Sequence, residues 1–147
     1  MKTRPGSRWF AGIVVCLLLC AALTSLATDG RDFAGFYDVS NVTDLGDTVR
    51  VTLTVRVLNY SDADVSGATV TLQDSFLIDT DYGTFPGTIS IPDRDSVRIS
   101  ANFTVSRAEY DSWQSGGTPR LRVDYQNNSG NAVRRTIELA EGLAGEE

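Results

Sequence analysis

Between Asp47 and Tyr60 the chain reads DTVRVTLTVRVLNY. Val49, Val51, Leu53, Val55 and Val57 alternate with Arg50, Thr52, Thr54 and Arg56. Successive strand side chains point to opposite faces, so this run predicts a long strand with one apolar and one polar face. A single strand cannot cover its own apolar row, so the chain must supply further strands and a second layer.

The rest of the sequence supplies them at hairpin-like spacing. Phe36 to Thr43 predicts a first strand. Gly67 to Asp74 alternates again, with Ala68, Val70 and Leu72 inward. Ser75 to Ile78 reads as a short side strand, and Thr84 to Ile91 as a strand broken by Pro86 and Gly87. Ser96 to Val105 places Val97, Ile99, Ala101, Phe103 and Val105 on one face. Arg120 to Tyr125 and Ala132 to Leu139 complete the set, joined by the turn Asn127-Asn128-Ser129-Gly130-Asn131. One short helix interrupts the strands. Ser106-Arg107-Ala108-Glu109 is a capping box, with Val105 and Tyr110 at the positions of a hydrophobic staple. Gly116-Gly117 ends it. The expectation is an all-β antiparallel sandwich or barrel of seven or eight strands over residues 35–139, with one connecting helix.

What precedes this domain changes its chemistry. Lys2, Arg4 and Arg8 are followed by the apolar run AGIVVCLLLCAA, and Ser25-Leu26-Ala27 supplies small residues for a cleavage site. Residues 1–27 therefore predict an export signal. The rivals are an uncleaved N-terminal anchor and a lipoprotein signal ending at Cys20, where Leu19 departs from the usual small residue. Residues 28–34 read as a polar lead-in and residues 140–147 as an acidic tail. All 147 residues contain no histidine, and Lys2, Cys16 and Cys20 are the sole lysine and cysteines. Removing residues 1–27 leaves 10 arginines against 19 carboxylates, a formal charge of −9. Histidine- and lysine-based nucleophile systems and zinc sites cannot be built from such a chain. A strongly acidic surface also argues against nucleic acid. Carboxylate chemistry, calcium binding through oxygen and binding without catalysis remain.

VRVTLTVRVLNYSDADVSGATVTLQD resembles the opening strands of small immunoglobulin-like domains on exported microbial proteins, including the CARDB adhesion modules and fibronectin type III-like relatives. Asn59-Tyr60-Ser61 and Gly67-Ala68 carry the likeness, and ISIPDRDSVRISANFTV is similar to the later segment of such domains. The resemblance implies an immunoglobulin-like sandwich that binds or spaces. It brings no catalytic residues with it.

Two residue groups are candidate sites. Tyr110 and Trp113, three apart on a helix, with Arg120 and Arg122 nearby in sequence, form a possible aromatic and guanidinium patch for a sugar, peptide or acidic partner. The alternative is that the two rings close the end of the sandwich while the arginines face outward from a strand. Asp74, Asp79 and Asp81, with Gly83, suggest a calcium loop, or else a solvated acidic turn. Asp62 and Asp64 read as turn residues. Asp79 and Asp124 are the pair a carboxylate-based hydrolase would use. Four Asn-X-Ser/Thr sequons begin at Asn41, Asn59, Asn102 and Asn127. The expected protein is a non-catalytic, secreted or envelope-associated interaction, adhesion or accessory module. Its expected partner is another envelope or surface protein. Membrane contact would come only through an uncleaved N-terminus, and calcium is the one cofactor in view.

Overall fold

A computed structural model describes residues 32–77 and 79–142. The predicted signal, most of the lead-in and most of the acidic tail lie outside these residues. Among the described residues no helix is long and apolar enough to cross a membrane.

Among the described residues nine strands and one helix follow in order: β1 (Phe33–Asp44), β2 (Thr48–Asn59), β3 (Val65–Gln73), β4 (Asp81–Thr84), β5 (Ile89–Ile91), β6 (Ser96–Ser106), α1 (Arg107–Gln114), β7 (Arg120–Gln126), β8 (Ala132–Glu138) and β9 (Ala140–Glu141). One sheet has the order β6-β2-β1-β9. The other has the order β4-β3-β7-β8, with β5 also pairing β3. Strands one, two and six together, facing three, seven and eight, are the A-B-E and C-F-G sets of an immunoglobulin-like sandwich.

The alternating run forms the centre of the first sheet. Val49, Val51, Leu53, Val55 and Val57 are fully buried. Each contributes about 1.5–3 kcal/mol by removing apolar surface from water. β2 pairs β6 from Thr48↔Ser106 to Leu58↔Ser96 without a register shift. The polar outer face is laced across strands: Thr52 donates to Asn102 at 2.7 Å and Thr54 meets Ser100 at 3.0 Å. Leu72, Leu121 and Val123 of the second sheet close the core from the other side. Phe85 and Phe103 meet edge to face at 5.0 Å between the layers. No cysteine follows Cys20, so this packing replaces the inter-sheet disulfide found in antibody domains.

The helix starts and stops as its sequence predicts. Ser106 is the N-cap and accepts from the Glu109 N–H at 3.1 Å. At the other end Gly116 has φ +96°, and the Gly117 N–H donates to the Ser112 carbonyl at 2.8 Å. That six-to-one bond is a Schellman motif.

Several boundaries differ from expectation. The sandwich has nine strands, not seven or eight. β1 begins at Phe33, inside the predicted polar lead-in, and Phe33 packs against Tyr125 at 5.9 Å. Gly35 allows that strand to lie close: a Cβ there would stand 2.4 Å from Leu139 Cδ2. Ser75–Leu77 form no strand, because the Asp74 carboxylate takes the N–H groups a ladder would need. The strand expected from Thr84 to Ile91 is broken at Pro86 and Gly87 as its sequence implies, but its first part begins earlier, as β4 from Asp81, and its second is β5. Ala140–Glu141, assigned to the tail, pair in parallel with β1.

Candidate functional site

β3 ends at Gln73, and the chain leaves the sheet through a loop built around two buried acids. Asp74 is 7% exposed. Its Oδ1 accepts from the Phe76 and Leu77 N–H groups at 2.7 and 2.9 Å, and its Oδ2 accepts from the Tyr82 hydroxyl at 2.5 Å. The Tyr82 oxygen lies 3.0 Å from Ser106 Oγ, the helix cap. Glu109, 0% exposed, stands one turn into α1. Its carboxylate accepts from Ser75 Oγ at 2.7 Å, from Ser75 N–H at 3.0 Å and from Trp113 Nε1 at 2.9 Å. The capping box is thus half formed: Ser106 caps the helix, while the Glu109 side chain turns to the loop. Two acids and three hydroxyls clamp residues 74–77 between β4 and α1. The clamped loop holds Phe76 and Leu77 outward, 60% and 59% exposed.

The clamp sets the titration of Asp74 and Tyr82. Burial acts to raise the Asp74 carboxyl, but the Tyr82 hydroxyl and the Leu77 and Phe76 amides outweigh it and hold the group below the ordinary carboxylate value. Burial, then the bond to Asp74, pushes the Tyr82 phenol up to about 12. A lowered acid stabilises the fold above its unfolded value and loses that contribution as pH falls through the folded one. A raised phenol does the reverse: its contribution is complete below pH 10 and is lost as pH rises towards about 12. Burial also raises Tyr37 and Tyr125. Urea midpoints are therefore expected to fall between pH 10 and about 12, and Tyr82→Phe is expected to flatten that fall. An identical alkaline slope in the variant would show that Tyr82 does not contribute.

The four residues of the predicted aromatic and guanidinium patch are not in one place. Trp113 is 3% exposed and its ring stands 6.4 Å from both Tyr37 and Tyr110. It closes the end of the sandwich. Arg122 lies on the outer face of β7 and grips Asp81 through both terminal guanidinium nitrogens at 3.0 and 2.8 Å. It also donates to Asp124 at 2.9 Å. Arg120 reaches Glu138 at 3.5 Å. Trp113 and Tyr110 line a cleft beside β1, whereas Arg120 lines another with Gln73, Asp74, Leu77, Asp79 and Thr136.

The three acids of the suggested calcium loop are similarly divided. Asp74 is occupied within the clamp and Asp81 by Arg122, while Asp79 is exposed with φ +62°. Among the described residues no group of three or more His, Cys, Asp or Glu is placed to share a metal ion. Asp124, the other half of the hydrolase pair, accepts from Arg134 at 2.7 Å as well as from Arg122. Burial would raise its carboxyl, but the Arg134 and Arg122 bonds hold it below the ordinary value. A general acid needs the opposite shift. Asp62 pairs with Arg94, and Asp64 accepts from the Asp93 N–H at 2.9 Å, so both serve turns.

Asn59 and Glu109, read from the sequence only as part of a polar turn and of a capping box, are structural centres. Asn59 is 1% exposed. Its Nδ2 donates to the carbonyls of Ala63, Ile91 and Pro92 at 2.9, 3.1 and 3.2 Å. Its Oδ1 accepts from Ser61 N–H and Oγ at 3.0 and 2.7 Å. The nitrogen to which a glycan would attach is therefore enclosed, which removes the Asn59 sequon from the folded protein. The signal for Glu109 was its place four residues before Trp113 on one helical face.

No family model matches the chain, and no curated protein matches it. Solved structures similar in backbone path include the following three. The Northeast Structural Genomics Consortium target SoR45 gives a TM-score of 0.42 at 11% identity, over 78% of this chain and 89% of that one. A candidate lipoprotein of Bacillus subtilis gives 0.31 at 14% identity, over 76% of this chain and 38% of its own. A protein from Archaeoglobus fulgidus gives 0.28 at 14% identity, over 76% and 96%.

Proposed function

We propose that this protein is an exported, non-catalytic interaction module that docks on another protein of the cell envelope through the loop bearing Phe76 and Leu77. The observation that carries the reading is the clamp. Two large apolar side chains stand in solvent on a backbone that Asp74 and Glu109 hold in place. A slack loop could fold such side chains back onto the surface, but a clamped one keeps them presented. Holding the loop in advance lowers the ordering cost of association, and central apolar anchors supply most of the binding energy at protein interfaces. The neighbouring Asp79 and Asp81 favour a protein surface over an anionic lipid headgroup layer. The signal-like residues 1–27 and the absence of His and Lys beyond them support export and binding over catalysis.

Phe76→Ser with Leu77→Ser tests the proposal. Both side chains are exposed, so the thermal midpoint should hold. Crosslinking in the native envelope is expected to link the unaltered protein to a discrete partner and to lose that partner with the double substitution. Equal recovery of the same partner by both forms would overturn the assignment.

A further inference from the structure

β6 ends its sheet, with β2 on one side of it. Among the described residues no strand pairs with its other side. Its neighbours in the chain are the Pro92–Asp95 turn and α1, and neither continues along that edge. The side chains of this flank agree. Val97, Ile99 and Ala101 point to the core yet are only half-buried, whereas their β2 partners Val57, Val55 and Leu53 are fully buried. A further strand paired with β6 would cover that row. Across the sandwich β4 and β5 both lie against β6, and the Pro86–Gly87 break falls between them.

Edge strands are usually blunted by shortness, charge, proline or a bulge. β4 is four residues long and contains Asp81 and Gly83, and β8 carries Arg134, Arg135 and Glu138. β6 has Arg98 and nothing else. It runs for 11 residues, SVRISANFTVS, without proline or glycine, and keeps one register with β2 throughout.

This strand is complementary to itself. Laid antiparallel on its own copy about Ala101, Arg98 meets Thr104, Ile99 meets Phe103 and Ser100 meets Asn102. Apolar pairs then extend the core row, and amide and hydroxyl pairs extend the polar one. The two Arg98 charges stand six residues apart along the strands, about 20 Å, well past the screening length of about 8 Å. Neither β2 nor β6 contains an acidic residue. Two copies of an acidic chain therefore meet here with the least repulsion between their carboxylates.

We propose that two copies of this chain join β6 to β6 about a two-fold axis at Ala101, which makes their first sheets one continuous sheet. The contact is isologous and closes on itself. The Tyr82–Ser106 contact marks the clamp end of β6, so the dimer carries its two Phe76–Leu77 loops at opposite ends of the seam. The seam uses neither Phe76 nor Leu77, so either assignment can fail while the other stands.

Sedimentation equilibrium of the purified protein is expected to show a reversible dimer. Hydrogen exchange at alternate amides of Val97–Val105 should slow as concentration rises. Ser100→Lys with Asn102→Lys sets lysine opposite lysine twice across the axis and is expected to weaken the dimer by about tenfold or more. Ser100→Lys with Asn102→Glu sets lysine opposite glutamate at the same positions and should restore it. Both variants lose the same bonds to Thr54 and Thr52 on the exposed face, so their far-UV spectra should match. Any of three results overturns the proposal. One is a monomer at millimolar concentration. Another is a dimer affected equally, or not at all, by the two variants. The third is β6 protection that arises only on adding envelope extract, which would give the edge to a different protein.

Discussion

Glu109→Ala is expected to cost about 3–5 kcal/mol of folding stability, a large share of what a domain of this size has in hand. The substitution removes the acceptor for Ser75 N–H, Ser75 Oγ and Trp113 Nε1 at once, in a place that water does not reach. Each buried donor left without a partner costs roughly 1–3 kcal/mol. Glu109→Gln keeps the shape and one carbonyl oxygen but turns an amide N–H₂ towards a donor, so it should fall between. Urea unfolding at neutral pH, compared at constant m-value, measures both. The alanine variant should also speed hydrogen exchange at Ser75, Phe76 and Leu77, because those amides are bound to the two acids. A loss below about 1 kcal/mol would mean that the loop repairs itself with water and that the clamp is not rigid.

Asn59→Asp is expected to be as damaging, though it changes one nitrogen to oxygen. The position of Nδ2 faces three carbonyl oxygens, of Ala63, Ile91 and Pro92. A carboxylate oxygen there is buried against acceptors and has no donor, at a cost of about 3–5 kcal/mol near pH 7. Asn59→Ala removes the amide without adding charge and should cost about 2–3 kcal/mol. The two differ in their response to acid. The introduced acid must be protonated to fold, so its folded value lies above its unfolded one and its deficit shrinks as pH falls. The alanine deficit should change little with pH, and parallel pH profiles for the two variants would refute this account.

How far the fold could be read from the chain depended on where each residue's partners lie. β2 and β6 declared themselves because alternation is a property of neighbours along the chain, and their buried faces are the predicted ones. The helix ends were equally local: Ser106 and Gly116-Gly117 sit within a few residues of the groups they satisfy. The apolar stretch after Asp74 misled for the same reason. Read alone it is a strand, but Asp74 takes the Phe76 and Leu77 N–H groups before a neighbour can pair with them. The two central polar residues were legible only in part: Trp113 and Ser61 are near them in the chain, but the partners that tie them to other elements are distant. Ser75 lies 34 residues from Glu109, and Ile91 lies 32 from Asn59. The four residues of the candidate patch are spread out because Arg120 and Arg122 alternate with Leu121, which puts them on the outer face, while Trp113 turns inward.

The clamp has a direction. Asp74 is held ionised and has no proton to offer, so the Tyr82 hydroxyl must donate to it. A phenol has one proton, so the Tyr82 oxygen can only accept from Ser106. Ser106 in turn gives its proton to Tyr82 and takes the Glu109 N–H on its own oxygen. From the positive end of the helix to the carboxylate at the loop, each dipole therefore points the same way. Both hydroxyl protons are fixed in orientation by one charge at the end of the line. Neutralising Asp74 in acid would thus release the sense of the whole chain, and not merely weaken its last bond.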